Sequence, residues 1–545
     1  MTEHLEADGG RFAAETLRLH GVDTLFTLSG GHLFPLYDGC VKTGIRLVDT
    51  RHEQTATFAA EGWAKMTRRP GAAALTAGPG VTNGVSAITS ASLNGTPMLV
   101  LGGRAPQARW GAGSLQELDH VPIVSSITKT ARTAAAPEQI PELVDAALRA
   151  ACTPHRGPAF VDIPLDAWGG ASATLADPPR PDELAGDAPD GDAVAAVAKL
   201  VDEADRPVLM VGADVFWASG EDALRAFAEA ARVPVFANGL GRGLLPADHE
   251  LAFSRVRGAA FAEADLVVVA GAPLDFRLGF GRFGDARVVH LADSAAGVAR
   301  SVDLAAGAAG DLARMLAALA DATRVSSPSR ERDGWVTRLR DEEDARRARE
   351  ADDLDSDASP IRPTRVYGEL RRRLDRDAIV IGDGGDFVSY AGKYVDTYRP
   401  GGFIDPGPYG CLGTGCGYAL AAALAHPGRQ VVVMWGDGAL GFSLGDLDTL
   451  VRFGADVVGI VGNNGIWGLE KHPMQLIYGY DVVAELRPGT RYDEVMTALG
   501  GHGELVAEPG AIGPALDRAF ATPGPSLVNV LTDPADAYPR SSNLA

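Results

Sequence analysis

Two apolar runs with a helical stretch between them organise the carboxyl-terminal third of this chain. Val431-Val432-Val433-Met434-Trp435 is apolar at every position and predicts a strand buried on both faces. Val457-Val458-Gly459-Ile460-Val461 predicts a second strand of the same kind. Between them, Gly441 to Gly454 places Leu444, Leu447, Leu450 and Val451 at helical spacing. Together they predict a β-α-β unit with neighbouring parallel strands.

The same alternation divides the chain into three. Residues 1–175 predict an α/β domain that closes on Pro158 to Pro164, a strand bounded by prolines. The Pro/Asp-rich stretch Asp177 to Asp192 reads as a linker. Residues 190–325 predict a second α/β set, with strands near Pro207–Val211, Val233–Ala237, Leu266–Ala270 and Val288–Leu291. Residues 326–360, with Asp341-Glu342-Glu343-Asp344 beside Arg346-Arg347, read as a solvated, charged connector and not as a binding site. Residues 361–545 predict the third α/β domain.

Composition fits this division. A chain of 545 residues with 46% hydrophobic content has room for three cores. No apolar run reaches the roughly 18 residues needed to span a bilayer. Met1-Thr2-Glu3-His4 lacks a basic, then apolar leader. Cys40, Cys152, Cys411 and Cys416 lack metal-ligand spacing and read as reduced thiols, so a cytoplasmic protein is expected. A net charge of −21 argues against nucleic-acid and anionic-membrane partners. A phosphorylated substrate would then need local cations.

The chemistry sits at strand ends. Gly436-Asp437-Gly438 ends the first run, and Asn463-Asn464 ends the second, with 24 residues between the motifs. Ligands of open α/β sheets bind at that edge. A carboxylate and an amide oxygen there suit Mg²⁺, and the glycines allow a diphosphate close to the backbone. Gly-Asp-Gly is also an ordinary turn; the pairing with Asn-Asn at the next strand end is what makes it specific.

This spacing resembles the cofactor motif of thiamine-diphosphate (ThDP) enzymes. Thr50-Arg51-His52-Glu53 and Thr76-Ala77-Gly78-Pro79-Gly80-Val81-Thr82-Asn83 resemble the pyrimidine side of the same site. The likeness spans essentially the whole chain and is to the decarboxylase and acetolactate-synthase group. It implies an α/β fold of three doubly wound parallel-sheet domains: pyrimidine, middle and diphosphate. It also implies a site shared between subunits, hence at least a homodimer and commonly a homotetramer. By the same resemblance Asp437, Asn464 and the Ile466 carbonyl hold Mg²⁺. Gly436, Gly438, Ala439, Trp467, Gly468, Gly385, Asp386, Pro79 and Asn83 line the cofactor. Gly410 meets its 4′-nitrogen, Leu412 wedges it into a V-shape, and Glu53 sets its tautomer. Taken alone, Glu53 reads first as a helix N-terminal acid favoured by the macrodipole, and the accompanying motifs give it the catalytic reading.

For the substrate, Ser114-Leu115-Gln116-Glu117 resembles a segment whose Gln faces the substrate in acetolactate synthases, benzaldehyde lyase and 2-hydroxyacyl-CoA lyases. His32 and Glu470 are the proton-transfer candidates, each with a plain alternative as a helix-cap or surface residue. Asn463 to Gly468, Tyr492 to Gly501, and Arg255-Val256-Arg257 with Gly271 to Gly281 resemble 2-hydroxyacyl-CoA lyases and oxalyl-CoA decarboxylases. The resemblance therefore implies cleavage of a 2-hydroxyacyl-CoA to formyl-CoA and an aldehyde or ketone. Arg257, Lys393, Arg540 and Ser541 are the CoA candidates, and residues 537–545 a lid over the thioester. The alternative is an acetolactate synthase or benzaldehyde-lyase-type carboligase acting on free 2-oxo acids or hydroxyketones. A non-catalytic regulatory subunit is opposed by the intact Glu53, Asp437 and Asn464. Pro273 stands where an ADP-binding Arg is found, and a flavin-type run is absent, so neither FAD nor ADP is expected to bind tightly.

Overall fold

The computed structural model describes residues 3–180, 183–323 and 330–538. Three parallel sheets organise them, and the α/β fold of three doubly wound domains holds. The first sheet runs, in spatial order, Arg46–Asp49, Thr24–Thr27, Gly71–Leu75, Met98–Arg104, Pro158–Pro164 and Ala131–Thr133. Its three longest strands are buried at every residue. That is the expected reading of continuous apolar runs with helices on both faces. Glu3–Asp8 pairs antiparallel with Gly170–Leu175 beside this sheet.

The third sheet runs Phe403–Ile404, Ile379–Asp383, Val431–Gly436, Val458–Asn463, Ser526–Leu531 and His502–Val506. The two predicted strands are neighbours, with Gly436 opposite Gly462, so both polar motifs leave the same edge side by side. The helix between them starts earlier than its apolar spacing shows. It begins at Asp437, ends at Ser443, and resumes over Leu447–Arg452 after a tight turn. Asp437-Gly438-Ala439 offers no apolar stripe, yet it forms the first turn.

The middle sheet runs Val235–Ala237, Pro207–Val211, Leu266–Ala270, Arg287–Ala292 and Ala306–Ala309. Its edge strand, Ala-Gly-Ala-Ala, was invisible to pattern because it has no β-branched residue. The charged stretch behaves differently from its expectation as a solvated connector. Arg330–Arg349 is a helix whose Trp335, Val336 and Leu339 join the middle-domain core. Glu343, fully buried, accepts from the Arg255 amide at 2.7 Å and from Arg347 Nε at 3.0 Å. Glu343 and Arg347 are absorbed by partners on neighbouring elements, while Asp341 and Asp344 face solvent.

The first and third domains meet through helices Glu53–Thr67 and Gly415–Ala425. The contact is close because Gly417 faces the Phe58-Ala59 backbone and Gly62 faces Tyr418. At its centre Lys65 pairs with Glu61 at 2.8 Å, both buried. Tyr418 donates its hydroxyl to Glu61 and accepts from Lys65, and Asn94 donates to the other Glu61 oxygen. Every member has a partner, which is what makes a buried polar cluster tolerable. No helix among the described residues is long and apolar enough to cross a membrane.

Candidate active site

A cleft of about 350 Å³ opens at the carboxyl edge of the third sheet. Gly385, Asp386, Gly410, Leu412, Gly436 to Ala439, Asn464, Ile466 to Gly468 and Glu470 all line it. Residues separated by 85 positions in sequence thus share one wall. The Asp437 carboxylate accepts from the Gly438 and Gly465 amides at 2.9 and 2.8 Å. Asn464 Oδ1 accepts from the Ile466 amide at 3.2 Å. Burial pushes the Asp437 carboxyl up to about 6, a cost that a neighbouring cation would remove. An all-oxygen donor set fixed by backbone amides fits Mg²⁺. The glycines are required by contact. A Cβ on Gly438 would lie 2.4 Å from the Trp467 ring, and one on Gly468 would lie 2.4 Å from an Asp386 carboxylate oxygen.

The first sheet presents a second group at its own carboxyl edge. Glu53, 7% exposed, is the first residue of its helix, and its Oε2 accepts from Asn83 Nδ2 at 3.0 Å. Asn83 belongs to the helix that begins at Pro79. His32 is buried with Nδ1 3.3 Å from Thr76 Oγ1. Burial first, and nearby His120 second, hold the His32 imidazole below its ordinary range. Gln116 has φ +60° and packs against Gly78. Glu53, Pro79, Asn83, His32 and Gln116 are absent from the walls of the third-domain cleft.

The middle domain adds two residues that sequence reasoning missed. Asn238 and Arg277 line the cleft with Asp437 and Glu470. Asp275 accepts from Arg277 Nε and Nη2, which fixes the plane of the guanidinium. The Asp-x-Arg spacing was the available signal. A larger cavity, about 910 Å³, lies between the middle and third domains and shares Asn238, Ser389 and Asp405 with the cleft. Arg257 and Lys393 line it, and Lys393 is engaged with Glu350 at 3.1 Å. Arg540, Ser541 and most of the expected lid lie outside the described residues. A third cavity, about 560 Å³, sits at the carboxyl edge of the middle sheet with Pro273 on its wall. There His155 Nδ1 is 3.1 Å from Asp293 and 3.5 Å from Asp214. Burial and the Asp293 charge push the Asp214 carboxyl up to about 7.

Comparison with known proteins agrees with this geometry. Residues 7–123 match the thiamine pyrophosphate enzyme N-terminal TPP binding domain, 194–319 the central domain and 383–530 the C-terminal TPP binding domain. The acetolactate synthase large subunit IlvG of Mycobacterium tuberculosis is 55% identical, covering 98% of each chain. The 2-hydroxyacyl-CoA lyase 2 of Caenorhabditis elegans is 32% identical over 98% of this chain and 91% of its own. The human 2-hydroxyacyl-CoA lyase 2 is also 32% identical, over 92% and 85%. With all three domain types matched in order, the chain belongs to the thiamine pyrophosphate enzyme family.

Proposed function

We propose that this enzyme is a ThDP- and Mg²⁺-dependent carboligase that joins free 2-oxo acids, a reading supported by its similarity to relatives named acetolactate synthase. The observation that carries the reading is Arg277, a guanidinium held by Asp275 on the wall of the cofactor cleft. A 2-oxo acid brings a carboxylate that needs such a partner, and a planar guanidinium meets it with two bonds. This reverses the order of the two readings taken from sequence: relatives named as synthases share 55% identity and those named as lyases 32%.

Bound in the cleft, ThDP supplies carbanion chemistry that side chains lack. Asp437, Asn464 and the Ile466 carbonyl would hold the metal, and the Gly436–Ala439 turn would admit the diphosphate. Leu412 and Gly410 support the cofactor's shape. Glu53 holds a proton against the pyrimidine ring, and Gln116 faces the substrate. Glu470 and His32 are the groups available to hold or pass the substrate hydroxyl proton. Because Glu53 lines no part of the cleft of its own chain, the complete site joins Glu53 of the partner subunit to this chain's cleft. A homodimer is the minimum, and a dimer of dimers the expected assembly. Exposed Phe34 and Leu115 on the first domain, and Phe442 and Leu476 on the third, give that contact its apolar surface. The middle-domain cavity is proposed to bind neither FAD nor ADP tightly, since Pro273 stands on its wall in place of a phosphate-binding Arg.

The CoA-lyase reading is kept as the second, because the large cavity that continues the cleft presents Arg257 to an anionic ligand. One experiment separates them. The protein, loaded with ThDP and Mg²⁺, is offered pyruvate, benzoin and a 2-hydroxyacyl-CoA separately, with mass detection of products. Acetolactate from pyruvate is expected. Formyl-CoA from the thioester with no acetolactate would overturn the first reading in favour of the second.

A further inference from the structure

His120 lies outside the motifs read from the sequence, and none of the roles above uses it. It is 0% exposed, and so is Asp162. The Gly78 amide donates to His120 Nε2 at 2.9 Å. An N–H donor fixes the tautomer: Nε2 carries no proton, so Nδ1 carries it and donates to Asp162 Oδ2 at 3.1 Å. Asp162 is in turn held by Arg104 Nη1 at 2.9 Å and by the Thr133 hydroxyl at 2.6 Å. Arg104 also reaches Asp119, the residue before His120, at 3.0 Å. The imidazole is packed edge-on to Phe160. The ring therefore has one orientation.

What it holds is the turn that builds the first-domain group. Gly78 has φ +60° and ψ −112°, a conformation that glycine alone adopts freely, and it caps the helix that carries Asn83 to Glu53. A Cβ on Gly78 would lie 3.0 Å from Gln116 Cβ and 3.1 Å from the Gln116 carbonyl oxygen. Gln116 thus rests on the glycine that His120 pins.

We infer that His120 is a positioning residue: by accepting from the Gly78 amide it fixes the surface against which Gln116 is set toward the substrate. The inference rests on the proposed substrate-facing role of Gln116. Nothing in it requires His120 to touch substrate or cofactor.

Two substitutions divide its two bonds. In H120Q the amide oxygen can stand near Nε2 and accept from Gly78, while the donor to Asp162 is lost. In H120N the amide nitrogen can stand near Nδ1 and donate to Asp162, while Gly78 is out of reach. A purely structural anchor to Asp162 predicts that H120N is the milder change; positioning through Gly78 predicts the reverse. In the ThDP- and Mg²⁺-loaded enzyme, H120N should lose about 30-fold in kcat/KM and H120Q no more than about 3-fold. Hydrogen exchange read by mass spectrometry should show peptides covering residues 76–80 loosened in H120N and protected in H120Q. ThDP affinity should be unchanged in H120Q. Unchanged exchange in H120N, equal losses in the two variants, or a loosened turn with full activity would each overturn the inference. If the wild-type enzyme turns over neither pyruvate nor the thioester, the fault lies with the proposed reaction. The exchange measurement then still decides whether His120 holds the turn.

Discussion

The first and third sheets have one strand order: in both, the second strand of the sheet in sequence lies outside the first, and the last two are exchanged at the far edge. At matching edges they build opposite kinds of half-site. The third uses backbone. Its carboxylate is held by two amides, and its walls are glycines where any side chain would collide with Trp467, Asp386 or Ala439. The first uses side chains: Asn83 on Glu53, Thr76 on His32, His120 on the Gly78 amide. The proposed diphosphate and metal would need close approach and fixed oxygen donors, which glycine and amides can provide. An organic ring that must gain and lose a proton needs a positioned acid, which only a supported side chain provides.

The largest expected effect tests the acid. Glu53→Gln keeps the shape and the bond from Asn83 but removes the proton that the pyrimidine side is proposed to share. Turnover should fall at least about 100-fold, roughly 2.7 kcal/mol of barrier, with ThDP affinity unchanged. Steady-state kinetics within about threefold of wild type would sink the assignment of Glu53. Asp437→Ala should fail in the other way, weakening retention of ThDP and Mg²⁺ by more than about tenfold, or 1.4 kcal/mol, in titration calorimetry. Mixed dimers of the two variants sharpen the contrast. If each site joins two chains, one site in a mixed dimer is wild type at both halves, and activity returns on co-expression. No recovery would place both halves of the site in one chain.

The contrast also explains what could be read from sequence. The third half-site is spelled by contiguous residues at two strand ends, because backbone geometry needs glycine and glycine is visible. Val431 to Trp435 and Val457 to Val461 are apolar throughout because both faces are covered. In the first half-site, Glu53 and Gly78-Pro79 were legible, but their supports at His120 and Asp162 are scattered single residues that only the fold brings together. Asn238 and Arg277 reach the cleft from another domain, a juxtaposition that no local spacing encodes. The charged helix misled for a related reason. Its apolar residues are few, and most of its charges are matched by partners far away in sequence.

Arg277 belongs to neither half, and so tests whether the middle domain contributes to substrate recognition. Arg277→Ala should raise KM for a 2-oxo acid by about 10- to 100-fold, from the roughly 1.5–3 kcal/mol of a bond to a charged group. ThDP affinity and stability should hardly move, since Asp275 and Arg277 are both part-exposed. A KM within about twofold of wild type would remove the observation on which the carboligase reading rests and leave the thioester reading stronger.

The smallest effect concerns how the first and third domains of one chain, each carrying one half-site, are held against each other. Gly62 lies in the middle of the helix that begins at Glu53, facing the helix Gly415–Ala425. A Cβ there would meet Tyr418 Cδ1 at 3.0 Å, the Tyr418 Cα at 3.1 Å and Ala421 Cβ at 3.1 Å. Backbone cannot give way cheaply, and Tyr418 is pinned between Glu61 and Lys65. Overpacking of this kind costs about 1–3 kcal/mol. Alanine recovers up to about 1 kcal/mol of helix propensity over glycine, so the balance is a modest destabilisation. Gly334 gives the control: it sits in the helix Arg330–Arg349, and a Cβ there meets nothing within 4 Å. Gly334→Ala should therefore stabilise by up to about 1 kcal/mol, while Gly62→Ala destabilises, both read by denaturant melts. Two glycines in two helices should thus respond with opposite signs. If both stabilise, the helices of the first and third domains are free to slide apart, and the packing of the two domains is set elsewhere.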